Sequence, residues 1–213
     1  MSDPTKTSSD AAARELLHAR GVNGLAELFD RYRDRLRGGV RVRLDARLCG
    51  RIDASDVVQE AFLEAEGRLA EYLKDPKLSP FVWIRFLTMQ RVLILHRHHL
   101  EAKQRDARRE RALDRQAPEA SSVNLAALIM DSQQPTPSRE AQRAEQYLQL
   151  QQGLEQMEEA DREVLALRHF EHLSNEEVAE VLGISLAAAS QRYYRALKKL
   201  KELLPDSLAG SSS

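Results

Sequence analysis

Apolar positions along this chain recur at three- and four-residue spacing. Val57, Val58, Ala61, Phe62 and Ala65 repeat with the period of an α-helix, and Leu69 and Tyr72 extend the same face. No stretch shows the strict alternation of a half-buried strand, so the pattern predicts an all-α protein. A helix is expected over Ala11–Ala19. A long helical stretch should then run from Gly24 to Arg111, with breaks near Gly38-Gly39, Gly50–Asp53 and Asp75-Pro76. Helical periodicity resumes at Arg139 and continues to Leu204, where Pro205 stops it. Residues 1–10 are polar and read as a disordered lead, and Gly210–Ser213 as a loose tail.

Between the two helical regions the chain is poor in large apolar groups. Gln116–Ser122 and Asp131–Ser138 flank an apolar island, Leu125–Met130, that fits one short helix docked on a neighbour. Pro135 and Pro137 exclude a helix around them. A connection of about 25–30 residues is unusually long inside one compact domain. It divides the chain into an N-terminal extension (1–20), a helical domain (21–112), a flexible linker (113–140), a second small helical domain (141–205) and a disordered tail (206–213).

Composition narrows the function. A length of 213 residues suits one or two domains. Charged residues reach 31% and aromatic residues only 5%, a balance that favours solvated helices over β-sandwiches. The single cysteine, Cys49, excludes an intramolecular disulfide and a four-thiolate zinc site. It reads as a small buried hydrophobe in a reducing compartment. No run approaches the ~18 apolar residues of a membrane span, and the polar start carries no signal core, so a cytoplasmic location without membrane insertion is expected. The formal net charge of −1 gives no global basic excess, and any contact with nucleic acid must come from local segregation of charge.

That segregation is visible twice. Near the C-terminus, Ser174-Asn-Glu-Glu177 has the form of a capping box. Gly183-Ile184-Ser185 then supplies a left-handed turn, an apolar plug and a hydroxyl cap for a second helix. The first helix should bury Val178, Ala179 and Leu182, and the second Ala189, Tyr193, Ala196 or Leu197, and Leu200. The opposite face of the second helix carries Ala187, Ala188, Ser190, Gln191, Tyr194 and Arg195, flanked by Arg192, Lys198, Lys199 and Lys201. A short helix, a glycine turn and a basic second helix make the DNA-binding helix-turn-helix. Gln191 can pair with adenine and the cations can grip phosphate, while the small side chains suit close approach to a groove.

In the N-terminal region, Asp56, Glu60 and Glu64 fall on one helix face with Gln59 beside them. Paired carboxylates can do acid–base chemistry or bind metal, but a regular stripe makes a poor pocket. The stretch Trp83–His99 combines an apolar stripe with Arg85, Gln90, Arg91, His96, Arg97, His98 and His99, and continues into a basic run ending at Arg111. The histidine cluster has no acidic or thiolate partner at metal-ligand spacing. It reads as a polar helix end, and neither metal nor cofactor is expected.

These motifs together resemble bacterial RNA polymerase sigma factors of the extracytoplasmic-function type. Asp53–Ala65 is similar to the family's core-polymerase-binding helix, D-x-x-D-[VL]-V-Q-E-x-F. Residues 81–111 resemble its promoter −10 segment, and Asp161–Ser185 is similar to the domain that reads the −35 element. The resemblance implies that Asp56, Gln59, Glu60 and Phe62 face the clamp helices of the polymerase largest subunit, with the flap as a further contact. It implies that Trp83, Gln90, Arg91, His96 and Arg97 meet −10 DNA. Ala187, Ser190, Gln191, Arg192 and Arg195 would then lie at the −35 groove. No residue is assigned to catalysis, and an anti-sigma factor is a partner that a two-domain chain with such a linker would suit. Gln90 and Ile94 stand where many members have Asn and Asp, and position 190 lacks a common Lys, so promoter letters do not carry over. The alternative, a helix-turn-helix regulator acting without polymerase, accounts for residues 161–204 and leaves the acidic helix and Trp83–Arg111 unexplained.

Overall fold

The computed structural model describes residues 4–44, 48, 51–101, 120–131 and 140–203. Cys49, most of the expected linker, and the tail lie outside the described residues. Eight helices occur among those described: α1 (Pro4–Arg43), α2 (Ala54–Lys74), α3 (Pro80–Glu101), α4 (Ser122–Asp131), α5 (Glu140–Gln156), α6 (Glu159–His169), α7 (Asn175–Leu182) and α8 (Leu186–Leu203). The all-α expectation holds. The chain divides into two compact units, Met1–Arg41 with Arg47–Pro118, and Val42–Ala46 with Glu119–Ser213.

The first helix departs from the expected pattern at both ends. Residues 4–10, expected to be disordered, are helical, and Pro4 occupies the first helical position, where its fixed φ is preorganised and its missing N–H costs nothing. Gly38-Gly39, expected as a break, lies inside the helix. Leu36 and Val40 on either side are fully buried, and packing of this kind outweighs the ~1 kcal/mol that each helical glycine costs. The break in the helical path is at Gly21, whose φ of 52° lies in the left-handed region. Just past it, the helix comes so close to the preceding arm that a Cβ on Gly24 would stand 2.5 Å from the Leu16 carbonyl oxygen. Gly24→Ala should therefore destabilise the first unit by about 1–3 kcal/mol, the usual cost of overpacking. Urea denaturation followed by Trp83 fluorescence measures it, and an unchanged midpoint would show that the two arms can separate freely.

The core of the first unit is built on α2 and α3. Helix α2 starts at Asp53, whose side chain accepts from the Ser55 backbone N–H at 2.8 Å. Asp53 is held below the usual carboxylate range, chiefly by that backbone hydrogen bond. Its buried face, Val57, Val58, Ala61, Ala65, Leu69 and Tyr72, is the one the periodicity marks out, while Phe62 is half-buried at the edge. The first turns of α3 are buried all round: Phe81, Val82, Trp83, Ile84 and Arg85 are each under 9% exposed. Trp83 stacks on Tyr72 with ring centres 4.1 Å apart, and Phe81 meets Tyr32 edge-on at 4.9 Å.

In the second unit, α4 covers the apolar island and packs on α5, with Tyr147 donating to the Val123 carbonyl at 3.3 Å. Leu125, Leu150, Leu154, Val164, Leu167 and Val178 form its interior. Asn124 donates from Nδ2 to the carbonyls of Val42 (3.2 Å) and Leu44 (2.6 Å). Arg43, with a fully buried side chain, is paired with Glu171 at 2.6 Å and with Glu163.

Candidate nucleic-acid and partner interfaces

On α2 the side chains of Asp56, Gln59 and Glu60 are exposed, and Leu63 beside them is 61% exposed although apolar. Phe62 rests edge-on against Phe29 at 5.3 Å. Ala26, Phe29, Asp30 and Arg33 of α1 face Ser55, Val58, Gln59 and Phe62 of α2 across a shallow groove. The arrangement is a carboxylate face with an apolar margin, suited to a basic helical partner.

Apart from the buried Arg85, helix α3 places its basic residues past the buried turns. Gln90, Arg91 and His96 are half-buried, and Arg97 and His98 exposed. Arg91 reaches back to α2, with Nη2 3.4 Å from Glu60 and Nε 3.7 Å from Glu64, while Glu64 also holds Arg68 at 2.7 Å. Two residues expected on different surfaces, Glu60 and Arg91, thus touch each other. Trp83 is the exception among the expected DNA contacts: it is 8% exposed and its ring face is covered by Tyr72. Among the described residues, no group of three or more metal-ligating side chains converges. No described helix is long and apolar enough to cross a membrane.

The helix-turn-helix has the expected local chemistry. Ser174 Oγ accepts from the Glu177 N–H at 3.2 Å, and the Ser174 N–H donates to Glu177 Oε2 at 2.7 Å. Gly183 takes a φ of 62°, and the next N–H, of Ile184, donates to the Ala179 carbonyl at 3.0 Å. Ser185 Oγ then accepts from the Ala188 N–H at 3.2 Å and caps α8. Ala189 and Ala196 are fully buried, whereas Tyr193, Leu197, Leu200 and, on α7, Leu182 are half-buried. The outer face presents Ala187, Ser190, Gln191 and Arg195 exposed, Ala188 and Arg192 half-buried, and Tyr194 at 72% exposure. Lys199 anchors the far end of α8 through a 2.8 Å bond to the buried Asp161.

Residues 147–200 match the family model for sigma-70, region 4. Over 155 residues the chain is 30% identical to the RNA polymerase sigma factor NccH of Alcaligenes xylosoxydans xylosoxydans, spanning 73% of this chain and 75% of that protein. The chain belongs to the bacterial RNA polymerase sigma factors of the extracytoplasmic-function type. Its fold is also found in CnrH, solved in complex with the cytosolic domain of CnrY, at 22% identity and a TM-score of 0.52, covering 91% of this chain and 96% of that one.

Helix α8 of this sigma factor has two supports that the sequence did not single out. One is Asn175, read there only as part of the capping box. The other is the contact of His169 Nε2 with Tyr193 Oη at 3.1 Å, from α6 to α8, with Arg168 over the tyrosine ring. Burial, and then the charges of Arg168 and His172, hold His169 below the usual imidazole range. The unfolded chain takes up this proton near pH 6.5 and the folded one only at lower pH. Stability from His169 is thus complete above about pH 6.5 and is lost as pH falls from there to the depressed folded value. His169→Gln should flatten that segment of the pH profile of thermal unfolding, and an unchanged profile would assign the slope to other groups.

Proposed function

We propose that this sigma factor binds core RNA polymerase through the exposed face of α2 and directs it to promoters, with α8 in the −35 groove and α3 at the −10 element. In this reading Asp56, Gln59, Glu60 and Phe62 meet the clamp helices of the largest subunit, and the flap receives the second unit. Gln90, Arg91, His96 and Arg97 support opened −10 DNA, where unpaired bases need cationic and stacking contacts. Trp83, buried under Tyr72, shapes that surface from beneath. The chain makes and breaks no bonds, because phosphodiester synthesis belongs to the polymerase, and it works in the cytoplasm.

The observation that carries the reading is the pairing, in one chain of this family, of an exposed carboxylate helix with a capped helix-turn-helix whose outer face is cationic. CnrH was solved with the cytosolic domain of CnrY, and a comparable anti-sigma partner is proposed to restrain this chain. Run-off transcription with core polymerase on genomic fragments tests the function. Discrete new transcripts are expected when the chain is added, and a pattern identical to core polymerase alone would refute it.

Arg192 and Arg195 flank the face proposed to enter the groove. Replacing both by Ala should weaken DNA binding and reduce the log–log salt slope by about one unit for each phosphate no longer neutralised. A salt titration with an unaltered slope would show that neither touches the backbone.

A further inference from the structure

Asn175 is the first residue of α7, and its side chain does no capping. Its Nδ2 instead donates across the turn to α8, to the Leu186 carbonyl at 3.2 Å and to Ser190 Oγ at 2.7 Å. Ser190 in turn donates to the same Leu186 carbonyl at 3.1 Å. The three groups close a small hydrogen-bonded ring over the first turn of the reading helix. The left-handed turn at Gly183 and the Ile184 N–H bond to the Ala179 carbonyl fix where α8 begins, and the Asn175 bonds act on the turn that follows. On α8 itself Ala189 and Ala196 are fully buried, and Tyr193 and Lys199 tie its later turns to α6, which leaves its first turn to the Asn175 bonds.

We infer that Asn175 is a positioning residue that fixes the roll of α8 about its own axis, with Ser190 as the relay. The inference rests on the proposed role of α8 at the −35 groove. It also changes the part played by Ser190: its proton is given to Leu186 and one lone pair is taken by Asn175, so the hydroxyl can meet DNA only as an acceptor through its second lone pair. Base selection falls chiefly to Gln191 and Tyr194, long side chains exposed on the same face. A helix that rolls by even a small angle carries both off their base edges together. Phosphate contacts, which tolerate more displacement, are kept.

The test uses holoenzyme made from core polymerase and the full-length chain. The probe is the strongest genomic run-off promoter with its upstream twelve base pairs randomised, read as the enrichment of the best sequence over the mean. Asn175→Asp is the informative variant. It keeps the size of the side chain, removes both N–H donors, and puts a negative charge at a helix N-terminus, where it is stabilising. An added charge weakens binding to every sequence alike and so leaves the enrichment ratio untouched. The expected result is a five- to tenfold fall in enrichment, spread over all selected positions, with the protein still folded at the assay temperature and an unchanged salt slope.

Asn175→Ala should lower enrichment similarly. Ser190→Ala, which leaves the bond to Leu186, should lower it two- to threefold, and the double variant no further than Asn175→Ala. Unaltered enrichment in Asn175→Asp overturns the inference, as does loss confined to one position, which would make Asn175 a direct base contact. A salt slope reduced by about one unit overturns it too, by making Asn175 a phosphate contact. If the unaltered holoenzyme enriches nothing, the proposed function fails instead, and the two failures are distinguishable.

Discussion

Asp56→Arg combined with Glu60→Arg should abolish capture of the chain by core polymerase, lowering affinity by at least a hundredfold while helicity is preserved. Both side chains are exposed on α2, one turn apart, and neither contributes to the buried face formed by Val57, Val58, Ala61 and Ala65. Their replacement therefore leaves the core intact. The change reverses two charges on a face proposed to meet a basic partner, turning attraction into repulsion and costing both on-rate and register. Asp56 also sits in the first turn of α2, where a carboxylate favours the helix dipole, so a few tenths of a kcal/mol of stability is lost as well. Glu60 has a second role: it faces Arg91 at 3.4 Å, and an arginine there would repel that side chain. Glu64, 3.7 Å from Arg91 Nε, stays in place and limits the disturbance. Pull-down with core polymerase, read beside far-UV circular dichroism, separates the outcomes. Retained capture with intact helicity would remove α2 from the polymerase interface.

How much of this was legible in the sequence depends on the separation of the interacting residues. The helix-turn-helix could be read because each of its determinants is local. Ser174 and Glu177 are three residues apart, and Gly183 needs only its own φ. The buried face of α2 was equally plain from its period. Trp83 was placed on the DNA surface by resemblance to the family, yet the first turns of α3 are buried all round, and an aromatic ring there is core whatever follows it in sequence. Gly38-Gly39 looked like a break and is helix, whereas Gly21 carries the turn. Composition cannot distinguish a glycine tolerated by packing from one required by φ. Asn175 was hidden differently. It lies inside a recognisable capping motif, and its partner Ser190 lies 15 residues away on the next helix, a pairing that no local spacing marks.

Arg43 is the extreme case, with partners 128 and 120 residues distant, and nothing in the pattern around it announces burial. Its replacement carries the largest stability cost expected anywhere in the second unit. Burial by itself pulls the guanidinium toward deprotonation, but the charges and hydrogen bonds of Glu163 and Glu171 more than offset that and raise its pKa overall. Glu171 is itself fully buried, and Glu163 is 16% exposed at its side chain while accepting the Ala120 N–H at 3.2 Å. Arg43→Met retains most of the volume and removes the positive charge, leaving two acidic groups in the interior without it. Breaking a buried pair in this way costs about 3–5 kcal/mol. Replacing the whole set, Arg43→Met with Glu163→Gln and Glu171→Leu, should recover most of that loss, because the desolvation of the charges disappears with them. The single tryptophan, Trp83, belongs to the first unit and reports its unfolding separately. In urea, Arg43→Met should therefore move the circular dichroism transition ahead of the fluorescence transition. Coincident, unshifted transitions would mean that Arg43 stabilises nothing.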